Sequence, residues 1–405
     1  MPKVNRLTNS IILNLNSRVA IVPLVLILVF ITLSRSFGQN FERYKQLSDT
    51  VCKSQYLGYD KVISVIVPKE FQRNTKKTFP LIIIFDSQNT RSYKYLQSTI
   101  DYLTSNDQIP ASVIIGVESP MNKRFKETDL PSSNPSSLGY KNEKFVFDEL
   151  VPLAKRLYSA SEFLLLIGHS RCGYFSTYLL TQESKKLNAV ISISPFYTQN
   201  NVDLIDSLSS LYKREKLDHK IYYIYSAGAD FQDDFKRMET LTELFRNTGS
   251  NIRSKGFYFP EADHNVTPGL TAGVGLYEVF EFWRKEQDIF LTSKNTDLKL
   301  KPVAENSILN HYGTAVSLSL GVLNGKGWQL YNDKNYPKAI EVWMIMLGEY
   351  PNFSEGYLAI MQAQKALSIS IQETTRLFKS SLEQSEFYTA ERKAELIKQF
   401  LLLQQ

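Results

Sequence analysis

The chain has 405 residues, of which 43% are hydrophobic and 22% are charged. This length exceeds that of one ordinary domain, and this composition excludes a disordered or fibrous protein. Two cysteines are too few for a disulfide scaffold, and the formal net charge of +6 would by itself suggest a nucleic-acid or anionic-membrane partner.

The first 38 residues are predicted to be a secretory signal peptide. Val19–Ser34 is an apolar run of 16 residues without charge, preceded by basic residues and followed by small ones. This run is shorter than the roughly 20 residues that a membrane-spanning helix needs. We therefore predict cleavage after Gly38 and a periplasmic or secreted protein, with an uncleaved membrane anchor as the alternative.

This segment also changes the meaning of the net charge. It contains four basic residues and no acidic ones, so most of the positive excess belongs to it. The rest of the chain is close to neutral, and we therefore expect no nucleic-acid partner and membrane contact only through the signal segment. The four basic residues are Lys3, Arg6, Arg18 and Arg35.

Between residues 39 and 292, apolar strand patterns alternate with helical ones. The predicted strands are Lys61–Val67, Pro80–Phe85, Ala111–Val117, Phe163–Gly168, Ala189–Ser194, Lys220–Ser226 and Gly256–Phe259. The predicted helices are Ser92–Leu103, Asn142–Tyr158, Arg171–Thr181, Asp234–Arg246 and Leu276–Glu286. Short connections between alternating strands and helices predict an α/β fold around a largely parallel sheet.

The most informative segment is Gly168–Gly173, where an apolar strand runs directly into a helix. Ser170 stands at this junction, in the context in which a G-x-S-x-G turn lifts a nucleophilic hydroxyl above the sheet. Cys172 replaces the second glycine of that pattern. The alternative is that Ser170 only caps the following helix.

A nucleophilic serine needs a base, and the chain offers four histidines. His264 follows the last predicted strand and precedes the last helix, which is the position expected for the base. His169 is beside the serine on the wrong side of the turn, His219 lies in a charged stretch, and His311 lies in the C-terminal region. We therefore predict that His264 is the base.

The base in turn needs an orienting acid, which should follow the preceding strand. Asp230 comes directly after the strand Lys220–Ser226 and a glycine, and we predict that it is the acid. Asp233 and Asp234 remain alternatives because they follow within four residues. One of them could instead cap the next helix.

An oxyanion hole requires two backbone N–H groups at the developing negative charge. One should come from Arg171, the residue after the nucleophile. The other should come from the loop after Pro80–Phe85, where we predict Gln88, with Ser87 second.

Several segments in chain order resemble those of the putative esterase family of α/β-hydrolases. This is the esterase D group, which includes enterobactin-type siderophore esterases, feruloyl esterases and S-formylglutathione hydrolases. The resemblance covers about residues 55–290, with Ser87 and Cys172 departing from the pattern. The matching segments are Phe79–Asp86, Ile114–Asn122 with Arg124, Asp129–Pro131, Phe147–Pro152, Ile193–Pro195 and Pro260–His264 with Pro268 and Leu270.

The resemblance implies an α/β-hydrolase fold and a serine esterase that needs no metal and no cofactor. Ser170 would attack an ester carbonyl of a small-molecule substrate, such as a siderophore-type, aryl or acyl ester, and His264 would take the hydroxyl proton. Water would then release the acyl group. The same acyl-enzyme could pass its acyl group to an alcohol, so an acyltransferase is an alternative. A non-catalytic binding protein on a hydrolase scaffold is another.

Substrate contacts are predicted at Arg124 and Tyr197. Arg124 and Arg171 would favour an anionic acyl or catecholate group, and the alternative is that both only solubilise the surface. Tyr197 and Tyr212 lie in residues 196–219, which could form a partial lid or an ordinary crossover.

After a polar linker over residues 293–305, helical patterns dominate residues 306–405. Gly327, Ala339 and Pro351 follow one another at intervals of 12 residues, which resembles a tetratricopeptide repeat. Such a unit is not stable alone, so we expect it to pack on the hydrolase body or to self-associate. It could dock a protein partner or gate the substrate, or it could serve only as a stabilising extension.

Overall fold

The computed structural model of the protein describes residues 41–72, 77–131, 134, 136–214, 217–247, 250–294 and 299–405. The predicted signal peptide, residues 1–38, and positions 295–298 of the predicted linker lie outside the described residues. Glu42–Gln405 form one compact unit. In the described ranges, no helix combines the length and apolar character needed to cross a bilayer.

A mixed, mostly parallel sheet forms the centre of the molecule, with nine strands among the described residues. The order is β1-β3-β5-β4-β6-β7-β10-β11, with β2 paired to β3. Along this order, β5, β4, β6, β7, β10 and β11 run parallel to one another. Strand β3 pairs antiparallel with β5, and both β1 and β2 pair antiparallel with β3. The nine strands are β1 (Tyr44–Gln46), β2 (Thr50–Ser54), β3 (Tyr59–Pro68), β4 (Phe79–Phe85), β5 (Val113–Val117), β6 (Ala160–His169), β7 (Ala189–Ile193), β10 (Ile221–Ala227) and β11 (Ile252–Tyr258), and a separate hairpin pairs β8 (Thr198–Gln199) with β9 (Val202–Asp203).

Helices cover the faces of this sheet, and this arrangement confirms the predicted fold class. Every residue of β4, β5, β7 and β10 is buried, which explains their continuous apolar runs. The helices of this part are α1 (Thr90–Ser105), α2 (Leu138–Lys144), α3 (Val151–Tyr158), α4 (Arg171–Glu183), α5 (Leu204–Arg214), α6 (Gln232–Asn247), α7 (Thr267–Val279) and α8 (Glu281–Thr292).

The observed elements differ from the predicted ones in three places. The predicted helix over 142–158 consists of α2 and α3 joined by wider π-type turns at Phe145–Leu150. The predicted helix over 276–286 spans the end of α7 and the start of α8, which meet at Phe280. The short strands β1, β2, β8 and β9 and the helix α5 were not predicted, although α5 has buried apolar residues at helical spacing, Leu204, Leu208 and Leu211.

The C-terminal region is helical, as predicted. Its helices are α9 (Leu300–Tyr312), α10 (Leu320–Asn332), α11 (Tyr336–Glu349), α12 (Ser354–Ala366), α13 (Gln372–Gln384) and α14 (Ala390–Gln404). The first of these begins inside the stretch predicted as a linker. Gly327 on α10 faces Trp343 on α11, and a Cβ added to this glycine would lie 2.2 Å from Trp343 Nε1.

These helices pack against the edge of the sheet at which the parallel strands begin. The Lys77 ammonium, just before β4, lies 3.1 Å from the centre of the Tyr350 ring. Asn188, just before β7, donates to the Tyr312 carbonyl at 2.6 Å, and the backbone N–H of Lys220 donates to the His311 carbonyl at 2.8 Å. The C-terminal region therefore lies at the opposite edge from the loops that follow the strand ends.

Candidate active site

Ser170 lies between the last residue of β6 and the first residue of α4, with φ 58° and ψ −121°. A non-glycine residue in this conformation is strained, and such strain is typical of a nucleophile elbow. Gly168 permits the turn, because a Cβ there would lie 2.2 Å from the Cys172 carbonyl oxygen and 2.7 Å from Ser176 Oγ. The strand and the helix can approach this closely only when residue 168 has no side chain.

Cys172, which replaces the second glycine of the pattern, is 1% exposed. Burial, followed by the charge of the nearby Asp86 carboxylate, raises the pKa of its thiol well above its ordinary value. The thiol is therefore protonated at neutral pH.

His264 and Asp230 lie together beyond the ends of β10 and β11. His264 Nδ1 is 2.8 Å from Asp230 Oδ2, although the angle of this approach is not that of an aligned hydrogen bond. Asp234, one of the two alternative acids, instead pairs with Arg237 at 3.4 Å. Within the described ranges, no hydrogen bond joins Ser170 Oγ to His264, and catalytic contacts often tighten only when substrate is bound.

The loop after β4 distinguishes the two candidates for the second oxyanion donor. The N–H of Ser87 donates to the Val117 carbonyl at 3.1 Å, so it is engaged at the edge of the sheet. The Gln88 side chain accepts from the Ser119 N–H at 2.9 Å and donates to Asp86 Oδ1 at 2.8 Å. The Ser87 N–H therefore already has a partner in the sheet, and Gln88 stays the predicted second donor.

Arg124 is bound to Asp86, a residue that the sequence reasoning did not select. Arg124 Nε lies 2.8 Å from Asp86 Oδ2 and 3.0 Å from Oδ1, and its Nη2 also donates to Oδ2. The hydrogen bonding to Asp86 raises the pKa of Arg124. About a third of the Arg124 side chain is exposed, so part of the guanidinium group faces the cleft.

The Arg171 side chain is held between aromatic rings next to Arg124. Its guanidinium carbon lies 4.0 Å from the centre of the Phe125 ring and 5.4 Å from that of Phe196, and its Nη1 donates to Gln199 Oε1 at 3.2 Å. Burial, followed by the nearby Arg124 charge, lowers the pKa of Arg171. The Arg171 guanidinium, with its two aromatic neighbours, and the Arg124 guanidinium therefore bring two positive charges close to Ser170.

The loop that carries Arg124 and Phe125 is anchored by a buried ion pair. Lys61 Nζ on β3 lies 2.8 Å from Glu127 Oε2, and both side chains are 0% exposed. The Tyr59 hydroxyl also donates to the Glu127 carboxylate. Burial lowers the pKa of Lys61 despite the favourable charge of Glu127.

Tyr197 does not lie in the cleft with the other predicted substrate contact. It is 1% exposed, and its hydroxyl lies 2.9 Å from the Tyr223 hydroxyl in the core. Its ring fills space between α4 and β10, so the residue has a packing role. Within residues 196–219, it is Gln199 of the β8–β9 hairpin that contacts Arg171. Gln199 Oε1 accepts from Arg171, and its Nε2 donates to Asp129 Oδ1 at 2.6 Å.

A groove of about 470 Å³ lies away from the candidate active site, between β10, β11 and α8, and its lining includes Arg253, Lys285 and His311. In the part of the chain that the structure describes, no group of three His, Cys, Asp or Glu side chains is arranged to hold a metal ion.

The family model described as Putative esterase matches residues 54–272, which is more than half of the chain. The chain belongs to the Putative esterase family. It is therefore a carboxylic ester hydrolase, as the sequence analysis predicted. No curated protein sequence matches this esterase.

Solved structures share the fold of this esterase at low sequence identity. An uncharacterised protein from Capnocytophaga ochracea superposes with a TM-score of 0.56 at 12% identity, covering 89% of this chain and 99% of its own. An IroE-like serine hydrolase from Shewanella oneidensis superposes with a TM-score of 0.57 at 13% identity, covering 76% of this chain and 100% of its own. These similarities show the fold alone.

Proposed function

We propose that the esterase acts through Ser170, His264 and Asp230. The observation that carries this proposal is the strained Ser170 backbone at the β6–α4 turn, at the same sheet edge as the 2.8 Å contact between His264 and Asp230. A helix-capping serine has no need of positive φ, because a cap residue ordinarily adopts extended backbone. The strain is therefore better explained by a nucleophile than by a cap.

In the proposed reaction, Ser170 Oγ attacks the ester carbonyl carbon while His264 Nε2 takes the hydroxyl proton. Asp230 orients the ring through Nδ1 and stabilises the imidazolium that forms. The backbone N–H groups of Arg171 and Gln88 donate to the tetrahedral oxyanion. The leaving alcohol takes the proton from His264, and a water molecule then repeats the sequence on the acyl-enzyme to release a carboxylic acid.

We infer that the substrate carries an anionic or phenolic group close to the ester. Arg124 is paired directly with Asp86, whereas the Arg171 guanidinium has a neutral amide as its hydrogen-bond partner, with the Arg124 charge nearby and Asp129 on the far side of that amide. An anion beside Arg171 would relieve that repulsion, and the Phe125 and Phe196 rings would contact an aryl group.

We further propose that the protein is secreted or periplasmic after removal of residues 1–38, because those residues have the layout of a signal peptide. The contact between Gly327 and Trp343 supports a tetratricopeptide-like crossing of α10 and α11. We retain a protein partner or self-association through these helices as a proposal. Their position at the far edge of the sheet argues against a role in gating the substrate.

Labelling with a fluorophosphonate probe tests the nucleophile. We expect the wild-type protein to label and Ser170→Ala not to label, since the probe reacts with an activated serine. We expect Asp230→Asn to lose roughly 10⁴-fold in kcat, whereas Asp234→Asn serves as the matched control and should retain activity. An unlabelled wild type, or labelling that persists in Ser170→Ala, would remove the proposed mechanism.

Two esters that differ only in charge test the substrate. Arg171→Met should raise the KM for 4-nitrophenyl hydrogen succinate relative to that for 4-nitrophenyl butyrate, because only the former carries a carboxylate near the acyl carbon. The backbone N–H of residue 171 is unchanged in this variant. An equal effect on both esters would contradict an anionic acyl group.

A further inference from the structure

His169, the residue directly before the nucleophile, contacts His264 in two ways. The centres of the two imidazole rings lie 4.5 Å apart with 36° between their planes. His169 Nε2 also lies 2.9 Å from the backbone carbonyl oxygen of His264. Since a carbonyl oxygen can only accept, Nε2 carries the proton, and His169 donates this hydrogen bond.

The same carbonyl oxygen accepts a second hydrogen bond from the scaffold. Thr267 Oγ1, at the start of α7, donates to it at 2.9 Å, and Ser194 Oγ, directly after β7, donates to Thr267 Oγ1 at 2.8 Å. Both residues are 0% exposed. The backbone of His264 is therefore held from β6, from β7 and from α7, although His264 itself lies in a loop.

His169 is suited to this contact because it stays uncharged. Burial, followed by the proximity of His264, lowers the pKa of His169 to about 4. At neutral pH the ring is therefore neutral. A second cation at this distance would oppose the imidazolium that His264 forms when it takes a proton.

We propose that His169 is a positioning residue for the base, fixing the ring plane and the backbone of His264 so that Nδ1 meets Asp230 and Nε2 meets Ser170. This inference rests on the proposed function, since it assigns His264 as the base. His169 does not touch the reacting atoms in this role. It acts by limiting the orientations that His264 can adopt.

Two substitutions separate the two contacts. His169→Phe keeps a flat ring against His264 and removes the hydrogen-bond donor, whereas His169→Gln keeps an N–H donor near the Nε2 position and removes the ring. We would measure kcat and KM for 4-nitrophenyl acetate, together with the thermal midpoint. For His169→Phe we expect kcat to fall roughly tenfold to a hundredfold, with KM and thermal midpoint close to the wild type.

His169→Gln should recover part of the lost kcat, and Thr267→Val should show a similar loss because it removes the second donor. His219→Gln, which alters a histidine near Gly313 at the other end of the sheet, is the matched control and should retain kcat.

If wild-type protein labels with fluorophosphonate but His169→Phe keeps wild-type kcat, the positioning role is wrong and the proposed function stands. A kcat loss that tracks a lower thermal midpoint in both His169 variants would assign His169 to packing and also overturn the inference. An unlabelled wild type would instead remove the proposed function.

Discussion

Replacing one member of the Lys61–Glu127 pair should destabilise the protein strongly. Both side chains are 0% exposed, so Lys61→Met would leave the Glu127 carboxylate buried with only the Tyr59 hydroxyl as a side-chain donor. Breaking a buried pair in this way costs about 3–5 kcal/mol. Since whole proteins are stable by only about 5–15 kcal/mol, this loss is a large fraction of the total.

The double variant Lys61→Met/Glu127→Gln distinguishes the charge effect from simple loss of packing. Without the carboxylate, the buried methionine faces a neutral amide that can still accept from Tyr59. We therefore expect the double variant to be more stable than Lys61→Met alone and to lie within about 1–2 kcal/mol of the wild type. Lys338→Met removes one partner of the solvent-exposed pair Lys338–Glu341 and should change stability by less than about 1 kcal/mol.

Urea unfolding followed by circular dichroism gives these free energies, and hydrolysis of 4-nitrophenyl esters gives the effect on the site. Because Glu127 anchors the loop that carries Arg124 and Phe125, Lys61→Met should also raise KM at temperatures where the protein stays folded. Two results would refute the reasoning. One is a loss of stability below about 1 kcal/mol in Lys61→Met. The other is a double variant whose loss of stability equals the sum of the losses measured in Lys61→Met alone and in Glu127→Gln alone.

Two further predictions concern stability. Gly327→Ala should lower the free energy of unfolding by about 1–3 kcal/mol because its Cβ would lie 2.2 Å from Trp343 Nε1. As a control, Gly348→Ala, whose Cβ would meet no atom within 4 Å, should be neutral or stabilising by up to about 1 kcal/mol. Equal urea midpoints for the two variants would contradict a tight crossing of α10 and α11. Burial chiefly lowers the pKa of both His169 and His311 to about 4, against about 6.5 in an unfolded chain. The unfolded state therefore binds more protons between these values, and the free energy of unfolding should fall as pH falls from about 6.5 to 4. His311→Gln should make this dependence shallower, and an unchanged slope in urea midpoint against pH would show that His311 does not contribute.

The alternation of apolar runs predicted the sheet well because β4, β5, β7 and β10 are buried on both faces. Such strands leave a continuous apolar signal. The hairpin β8–β9 left none, since each of its strands has two residues and its turn depends on Asn200 and Asn201 at positive φ. Those asparagines were the available signal for the turn.

The sequence could suggest the part of the candidate site that depends on the order of elements along the chain. It could not suggest the contacts that depend on how separate loops pack together. Ser170, Asp230 and His264 follow the ends of the parallel strands β6, β10 and β11, so the topology places all three at one edge of the sheet. The pairing of Arg124 with Asp86 depends on two separate loops meeting in space. Tyr197 was misplaced because an aromatic residue in a candidate lid and one in the core have the same local sequence signature.

The contact of the C-terminal helices with the beginning of the parallel strands has a practical consequence for handling the enzyme. The loops that follow the strand ends, including those that carry Ser170 and His264, lie at the opposite edge of the sheet. Because α14 ends at Gln404 in this C-terminal region, we expect a surface or fusion partner attached after Gln405 to stand away from the proposed active site. Immobilising the protein by this end should leave the access of small esters to Ser170 unobstructed.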